Sequence, residues 1–219
     1  MIIKNNKKIF KIYDGEKLVD RIFKGMTKVY EYLPVGYKEC KYIESTGTQY
    51  IDTKFTPNYN TRTIFSFQIT SLAEKFGLFG SRQSSTNSMY TFQKISNGKW
   101  GTSYENQFPN DIKDADLEKH VIDKNKNITY MDNEIINTIL ETQQYTTSND
   151  MFIFCINDHG TASLFGKFKL YYTKIYNGNE LVRDFIPVID SSDIPCLYDL
   201  VSKTTFYNVG TGTFGYELK

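Results

Sequence analysis

Cysteine is scarce in this chain of 219 residues, with three at positions 40, 155 and 196. An odd number at wide spacing makes neither a disulfide framework nor a metal-finger pattern, so the reading is buried, reduced thiols. There are two histidines, His120 and His159, and no Gly-x-Ser-x-Gly elbow, which leaves little for nucleophilic catalysis. A surplus of one charge is also missing, because 26 Lys plus Arg stand against 25 Asp plus Glu, a formal charge of +1. A general grip on nucleic acid or on an anionic membrane needs a basic surface, so neither partner is expected. No apolar run approaches the roughly 20 residues of a membrane span. Residues 1–8 lack the apolar core of a secretory signal. The expectation is a soluble protein made in a cytoplasm, with no membrane insertion.

Aromatic residues are what the chain has in quantity: 17 Tyr, 16 Phe and a single Trp, 16% of the whole. They suit a pleated, half-buried surface. From residue 37 onward short β-rich runs alternate with polar turns. Expected strands lie at 42–44, 50–54, 62–69, 77–81, 89–95, 99–104, 119–123, Ile128–Met131, Glu134–Thr138, 151–156, 165–176 and 181–186, followed by a C-terminal pair. That spacing predicts an antiparallel sandwich or barrel. Turns are read at Asn97-Gly98, Lys124-Asn125-Lys126-Asn127 and Asp132-Asn133. Residues 110–119 hold too many carboxylates for a helix and read as a short surface turn. The absence of βαβ alternation excludes a parallel sheet.

Residues 1–33 form a unit of their own, a small β module of three short strands, and 34–219 form the main domain. The hairpin around Asn177-Gly178 has an echo in the first unit. Residues 11–23 align without gaps to 174–186, and six of thirteen positions are identical (Lys, Ile, Tyr, Gly, Leu, Val). Convergence of two Asx-Gly hairpins and a repeated surface-presenting hairpin both explain this; exposed hairpin edges also invite self-association.

The opening of the main domain carries a resemblance. Leu33-Pro34-Val35-Gly36-Tyr37, leading to Tyr42-Ile43-Glu44-Ser45-Thr46-Gly47-Thr48-Gln49-Tyr50-Ile51-Asp52-Thr53, resembles the start of a group of phage and prophage tail or virion-surface proteins. The ending is similar too, through Lys174-Ile175-Tyr176, Leu181-Val182-Arg183-Asp184-Phe185-Ile186-Pro187, Leu197-Tyr198-Asp199 and Gly210-Thr211-Gly212-Thr213-Phe214. The resemblance implies a concanavalin A-like, laminin-G-type jelly-roll β-sandwich and a virion context, and it brings no catalytic residues with it. It further implies attachment to other virion proteins through the N-terminal module, homo-oligomerisation and release by lysis without a signal peptide.

Glycosidases with such a jelly roll set paired carboxylates on one strand, and hydrolysis needs that pair. No apolar strand here has one, so the chain is read as non-enzymatic. Asp114-Ala115-Asp116-Leu117-Glu118 has the spacing but lies in a polar stretch. It reads as a solvated acidic turn, with a Ca²⁺ site at Asp114 and Asp116 as the second reading. No other cofactor is expected. Binding chemistry fares better, and the expected ligand is host-surface polysaccharide. Trp100, with Tyr104 beyond it, stands among polar neighbours and reads either as core or as a platform for a sugar ring. Asn157-Asp158-His159 precede Gly160 at a loop tip, where a plain turn and a ligand-contacting loop are both open readings. The polar stretch 81–88, with Asn87, is a further candidate rim. A purely structural or decorating virion protein and a glycan-degrading enzyme remain the competing readings.

Overall fold

The computed structural model describes residues 32–84 and 88–219 in full, with the backbone of strand segments at 2–4, 7–9, 13–14, 17–18, 21–24, 27–31 and 87. In the first unit β1 (Ile2–Lys4) pairs with β2 (Lys7–Ile9), β3 (Tyr13–Asp14) with β4 (Lys17–Leu18) and β5 (Arg21–Lys24) with β6 (Thr27–Glu31). Each pair is an antiparallel two-stranded sheet of its own. The body begins with β7 (Lys38–Glu44), β8 (Ile51–Asp52), β9 (Thr61–Ile69), β10 (Phe76–Ser84), β11 (Asn87–Lys94) and β12 (Trp100–Glu105). It continues through β13 (Lys119–Asn125), β14 (Ile128–Met131), β15 (Glu134–Thr138), β16 (Phe152–Ile153), β17 (Ile156–Asp158) and β18 (Thr161–Ser163). It closes with β19 (Phe168–Asn177), β20 (Glu180–Ile189), β21 (Pro195–Asp199), β22 (Thr204–Phe206) and β23 (Gly215–Leu218).

These strands make two sheets. The larger runs β15-β14-β13-β9-β19-β7-β20-β21-β22, with β23 added to β7; the smaller runs β12-β11-β10-β16-β8, with β17 and β18 attached to β10. Among the described pairings only β10 with β17 is parallel. The chain is therefore an all-β antiparallel sandwich, consistent with the expected jelly roll, and there is no helix among the described residues.

Alternation builds the core. Along β9 the side chains of Thr61, Thr63, Phe65, Phe67 and Ile69 are buried, as a period of two requires on one face. Phe65 meets Phe79 of the smaller sheet at 5.0 Å between ring centroids, and Phe67 meets Trp100 at 5.6 Å. Each such ring contributes roughly 1.5–3 kcal/mol by leaving water. A second apolar cluster joins Ile186 and Val188 of β20, Cys196 and Tyr198 of β21 and the adjoining Leu200 to Tyr32, which precedes β7. All three cysteines are free and buried. Burial pushes the Cys40 thiol up to about 11 and Cys196 up to about 12.

Several expected boundaries move, for identifiable reasons. The strand read at 151–156 is two, because Phe154 adopts φ +72 and turns the chain. Its ring stacks on Phe168 at 4.5 Å and packs on Phe214 at 4.8 Å, which holds that uncommon backbone in place. The four-residue turn at 124–127 is shorter than read: β13 continues through Asn125, and Lys124 points inward. The stretch 81–88 is a tight hairpin, with Ser84 opposite Asn87. Residues 85–86 lie outside the described residues.

The two similar hairpins share a register. β3–β4 pairs Tyr13 with Leu18 and Asp14 with Lys17, and β19–β20 pairs Tyr176 with Leu181 and Asn177 with Glu180. In the second the two loop residues are Gly178 (φ +59) and Asn179, glycine in the first position as a type II′ turn requires. Residues 10–12, 15–16 and 19–20 of the first copy lie outside the described residues.

The Leu-Tyr-Asp of the closing pattern has a structural use. The buried Asp199 carboxylate accepts from the backbone N–H of Asp184 at 2.8 Å, Val201 at 3.0 Å and Ser202 at 3.2 Å, and from the Ser202 hydroxyl at 2.7 Å. It ties β20, β21 and the following turn together.

Candidate binding groove

Trp100 is 0% exposed, stacked on Phe92 at 5.3 Å and set edge-on to Phe67. It takes an inward position of β12, so the sugar-platform reading is corrected: this ring is core. Tyr104 is buried by the same alternation, donating to the Tyr59 carbonyl at 2.8 Å with its ring against Tyr145. Asn157 is buried as well, and it donates to the Asp150 carbonyl at 2.8 Å and accepts from the Gly160 N–H at 2.9 Å. Both ends of its amide hold the turn. Asp158 takes a two-pronged bond from Arg82 (Nε 2.8 Å, Nη2 2.5 Å), and the guanidinium holds its pKa below the usual carboxylate range. His159 presents an exposed ring, its Nδ1 2.5 Å from Asp158 Oδ1. With φ +56 at His159 and +85 at Gly160, the two residues form a primed hairpin turn between β17 and β18. Asn87 opens β11; its side chain lies outside the described residues.

The Ca²⁺ reading of Asp114 and Asp116 is corrected too. Asp114 pairs with Lys99 at 3.3 Å, while Asp116 accepts from His120 Nε2 and from the Glu118 N–H, each at 2.8 Å. Each carboxylate serves a different cation. Among the described residues no group of three or more His, Cys, Asp or Glu converges as a metal site would need.

The structure opens a groove elsewhere, on the outward side of β10–β12. Gln93 of β11 stands opposite Gly77 of β10 and Gly101 of β12. Neither neighbour has a side chain, and other residues fill the space: Ile156 over Gly77, and Phe108 with Ile95 over Gly101. A Cβ on Gly101 would lie 3.1 Å from the Phe108 ring, and one on Gly77 would lie 2.3 Å from Ile156 Cγ1. The missing side chain at 101 is what lets Phe108 lie down on the sheet as a wall. The groove holds about 510 Å³, and Lys75, Arg82, Lys94, Asn97, Asn110 and Ser163 also line it. That is within the usual range for a small-ligand site. Gln93 is 8% exposed, and its amide makes no hydrogen bond among the described residues. Its amide is not among the buried polar atoms without a partner, so it opens to solvent in the groove, where it can meet a ligand's donor and acceptor together. Phe108, on the same lining, is 36% exposed.

The wall that carries Phe108 is pinned at both ends. Residues 107–115 run along edge strand β12, with Thr102 N–H donating to Pro109, Trp100 N–H to Lys113 and Ile112 N–H to Trp100, at 2.8–3.2 Å. Beyond them Asp116 meets His120, whose other ring nitrogen lies 2.6 Å from Asp132 Oδ2. A neutral imidazole has one N–H, and this ring faces two carboxylates, so the geometry demands the imidazolium. Burial works to lower the His120 pKa, but Asp132 and Asp116 together outweigh it and the pKa is raised. Asp116 is lowered, since His120 and the Glu118 N–H outweigh its own burial.

The sign of the pH dependence follows. A raised histidine pKa contributes stability that is complete below the unfolded value of about 6.5 and is lost as pH rises through the folded value; a lowered carboxylate contributes above about 4 and is lost on acidification. The thermal midpoint difference between wild type and His120→Gln should therefore be greatest near pH 5–6 and shrink by about pH 9. A difference that does not change between those conditions would remove the imidazolium clamp.

Gln93 and Phe108 escaped the sequence reading, although a signal existed: one glutamine closing the aromatic run Met89-Tyr90-Thr91-Phe92, and a glycine directly after Trp100. Compared with known proteins, the chain matches no protein-family model and no curated protein sequence.

Proposed function

We propose that this chain is a non-enzymatic phage virion protein of the tail or baseplate, and that its sandwich binds host-surface glycan in the groove around Gln93. The virion context rests on the resemblance of the opening and closing segments, with the N-terminal module as the attachment unit. The glycan reading is carried by one observation: a groove lined by an amide with no hydrogen-bond partner among the described residues, set between two glycines, and by a partly exposed phenyl ring. Sugar recognition needs an aromatic surface over the C–H face of the ring and amides for the hydroxyls, and Phe108, Gln93 and Asn110 supply those groups. The lining includes no Asp or Glu, whereas ordinary glycoside hydrolysis takes two. That supports binding without cleavage.

The test is a glycan array probed with protein displayed densely on beads, since single lectin contacts are weak. Phe108→Ala and Gln93→Ala should each reduce capture by about tenfold, roughly 1.4 kcal/mol. Wild type that captures neither glycan nor host cells would overturn the reading; variants that bind as well as wild type would exclude this groove.

A further inference from the structure

We infer that Asn97, on the lining of the groove, is a site of spontaneous modification at which the side-chain amide becomes a carboxylate. The inference is independent of what the groove holds. In the reaction the backbone nitrogen of the next residue attacks the side-chain Cγ and closes a five-membered succinimide, while ammonia leaves. Water then opens the ring at either carbonyl, giving aspartate or isoaspartate. One water is consumed for each ammonia released, and nothing is oxidised or reduced.

The chain has two Asn-Gly pairs, Asn97-Gly98 in the turn between β11 and β12 and Asn177-Gly178 in the turn between β19 and β20. Both are open around the attacking nitrogen, since nothing lies within 4 Å of a Cβ added to either glycine. What separates them is where the asparagine is held. Asn97 Oδ1 accepts from the Lys99 N–H at 3.0 Å, an Asx turn that curls the side chain back over the peptide that must attack it. The same N–H stands at the oxygen that gathers negative charge during the attack. Asn177 Oδ1 accepts instead from Asn58 Nδ2 at 3.2 Å, which draws the side chain across to another segment. The nitrogens differ in the same way. Gly98 N–H donates to Ile95 O at 3.2 Å, inside its own turn, whereas Gly178 N–H donates to Asn60 O at 3.0 Å. Freeing Gly98 takes the flexing of one turn; freeing Gly178 takes the parting of two segments.

Conversion puts a carboxylate on a lining that has no Asp or Glu. The isoaspartate form also lengthens the backbone by one methylene just before Gly98, whose carbonyl accepts from the Ala115 N–H at 2.9 Å. That bond fastens the turn to the segment 107–115, so the wall carrying Phe108 is disturbed with it.

The experiment incubates the folded full chain in water enriched in heavy oxygen, in mildly acidic and mildly alkaline buffer, and follows isotope uptake peptide by peptide. Asn97 should convert at least about tenfold faster than Asn177, and faster in alkali because the attacking nitrogen must lose its proton. Gly98→Ala should slow Asn97 by about the same factor, because a methyl group then shields the nitrogen. In denaturant the two sites of the wild type should convert at one rate. Equal rates in the folded protein, or an Asn97 that keeps its amide in alkali, overturn the inference. A difference that persists in denaturant overturns it as well, because it would belong to the local sequence and not to the fold.

Discussion

Lys124→Met should stabilise the protein by roughly 3 kcal/mol at pH 6, with the gain shrinking steadily above pH 7 and gone near pH 10.5. Lys124 is fully buried among the inward positions of β13, opposite Thr63 and Thr129. Its amino group lies 4.8 Å from the centre of the Tyr90 ring and 5.8 Å from that of Tyr104, and reaches the Lys126 carbonyl at 3.4 Å. No carboxylate pairs with it among the described residues. Burial pushes its pKa down from 10.5 to about 7. Between those values the unfolded chain holds a proton that the folded chain lacks, so stability rises with pH; below about 7 both hold it and the penalty is complete. Methionine keeps the length and drops the charge. Some of the gain is offset by the lost attraction to the two rings, worth on the order of 1 kcal/mol. Urea denaturation of both proteins at pH 6, 8 and 10 measures this, and a difference that is flat across the three sinks it.

Gly210→Ala should cost about 3 kcal/mol or more, in the upper range for overpacking. The chain at 208–212 zips onto 48–50, with Val209 N–H to Tyr50 O at 2.9 Å, Thr211 N–H to Thr48 O at 3.2 Å and Tyr50 N–H to Asn208 Oδ1 at 3.0 Å. A Cβ on Gly210 would sit 2.0 Å from the Thr48 carbonyl oxygen. Both sides of that contact are backbone, so no side chain can swing away. Gly98→Ala is the control, because Gly98 has φ +83 and nothing within 4 Å of its added Cβ. It should cost only the conformational term, on the order of 1 kcal/mol. If the Gly210 variant loses no more than the Gly98 variant, the close approach is not what holds these segments together.

Strand positions were legible because alternation and turn residues are local. β9, β14, β15, β19 and β20 all fall where aromatic and β-branched runs place them. The exceptions share one cause, contacts made far along the chain. Phe154 breaks its strand because Phe168 and Phe214 capture its ring. Lys124 was hidden because an inward lysine looks like a turn residue, and only the aromatic box formed by Tyr90 and Tyr104 reveals its side. The candidate site was less legible than the fold. Trp100 and Tyr104 were singled out for their polar neighbours, but along a strand neighbours lie on the opposite face, so those neighbours said nothing about which way the rings pointed. Gln93 and Phe108 come together through two glycines on different strands and a segment folded back along an edge. No spacing rule encodes that.

The segment at 107–115 has one more bearing on how the molecule behaves in a crowded solution. It occupies the backbone hydrogen-bonding groups of β12, the terminal strand of the smaller sheet. Its far end is tethered by a ring that needs its proton. Alkaline conditions, by loosening that tether, uncover strand backbone ready to pair with another chain. The damage on that side of neutrality is then intermolecular: turbidity that grows with protein concentration while most of the sandwich is still folded.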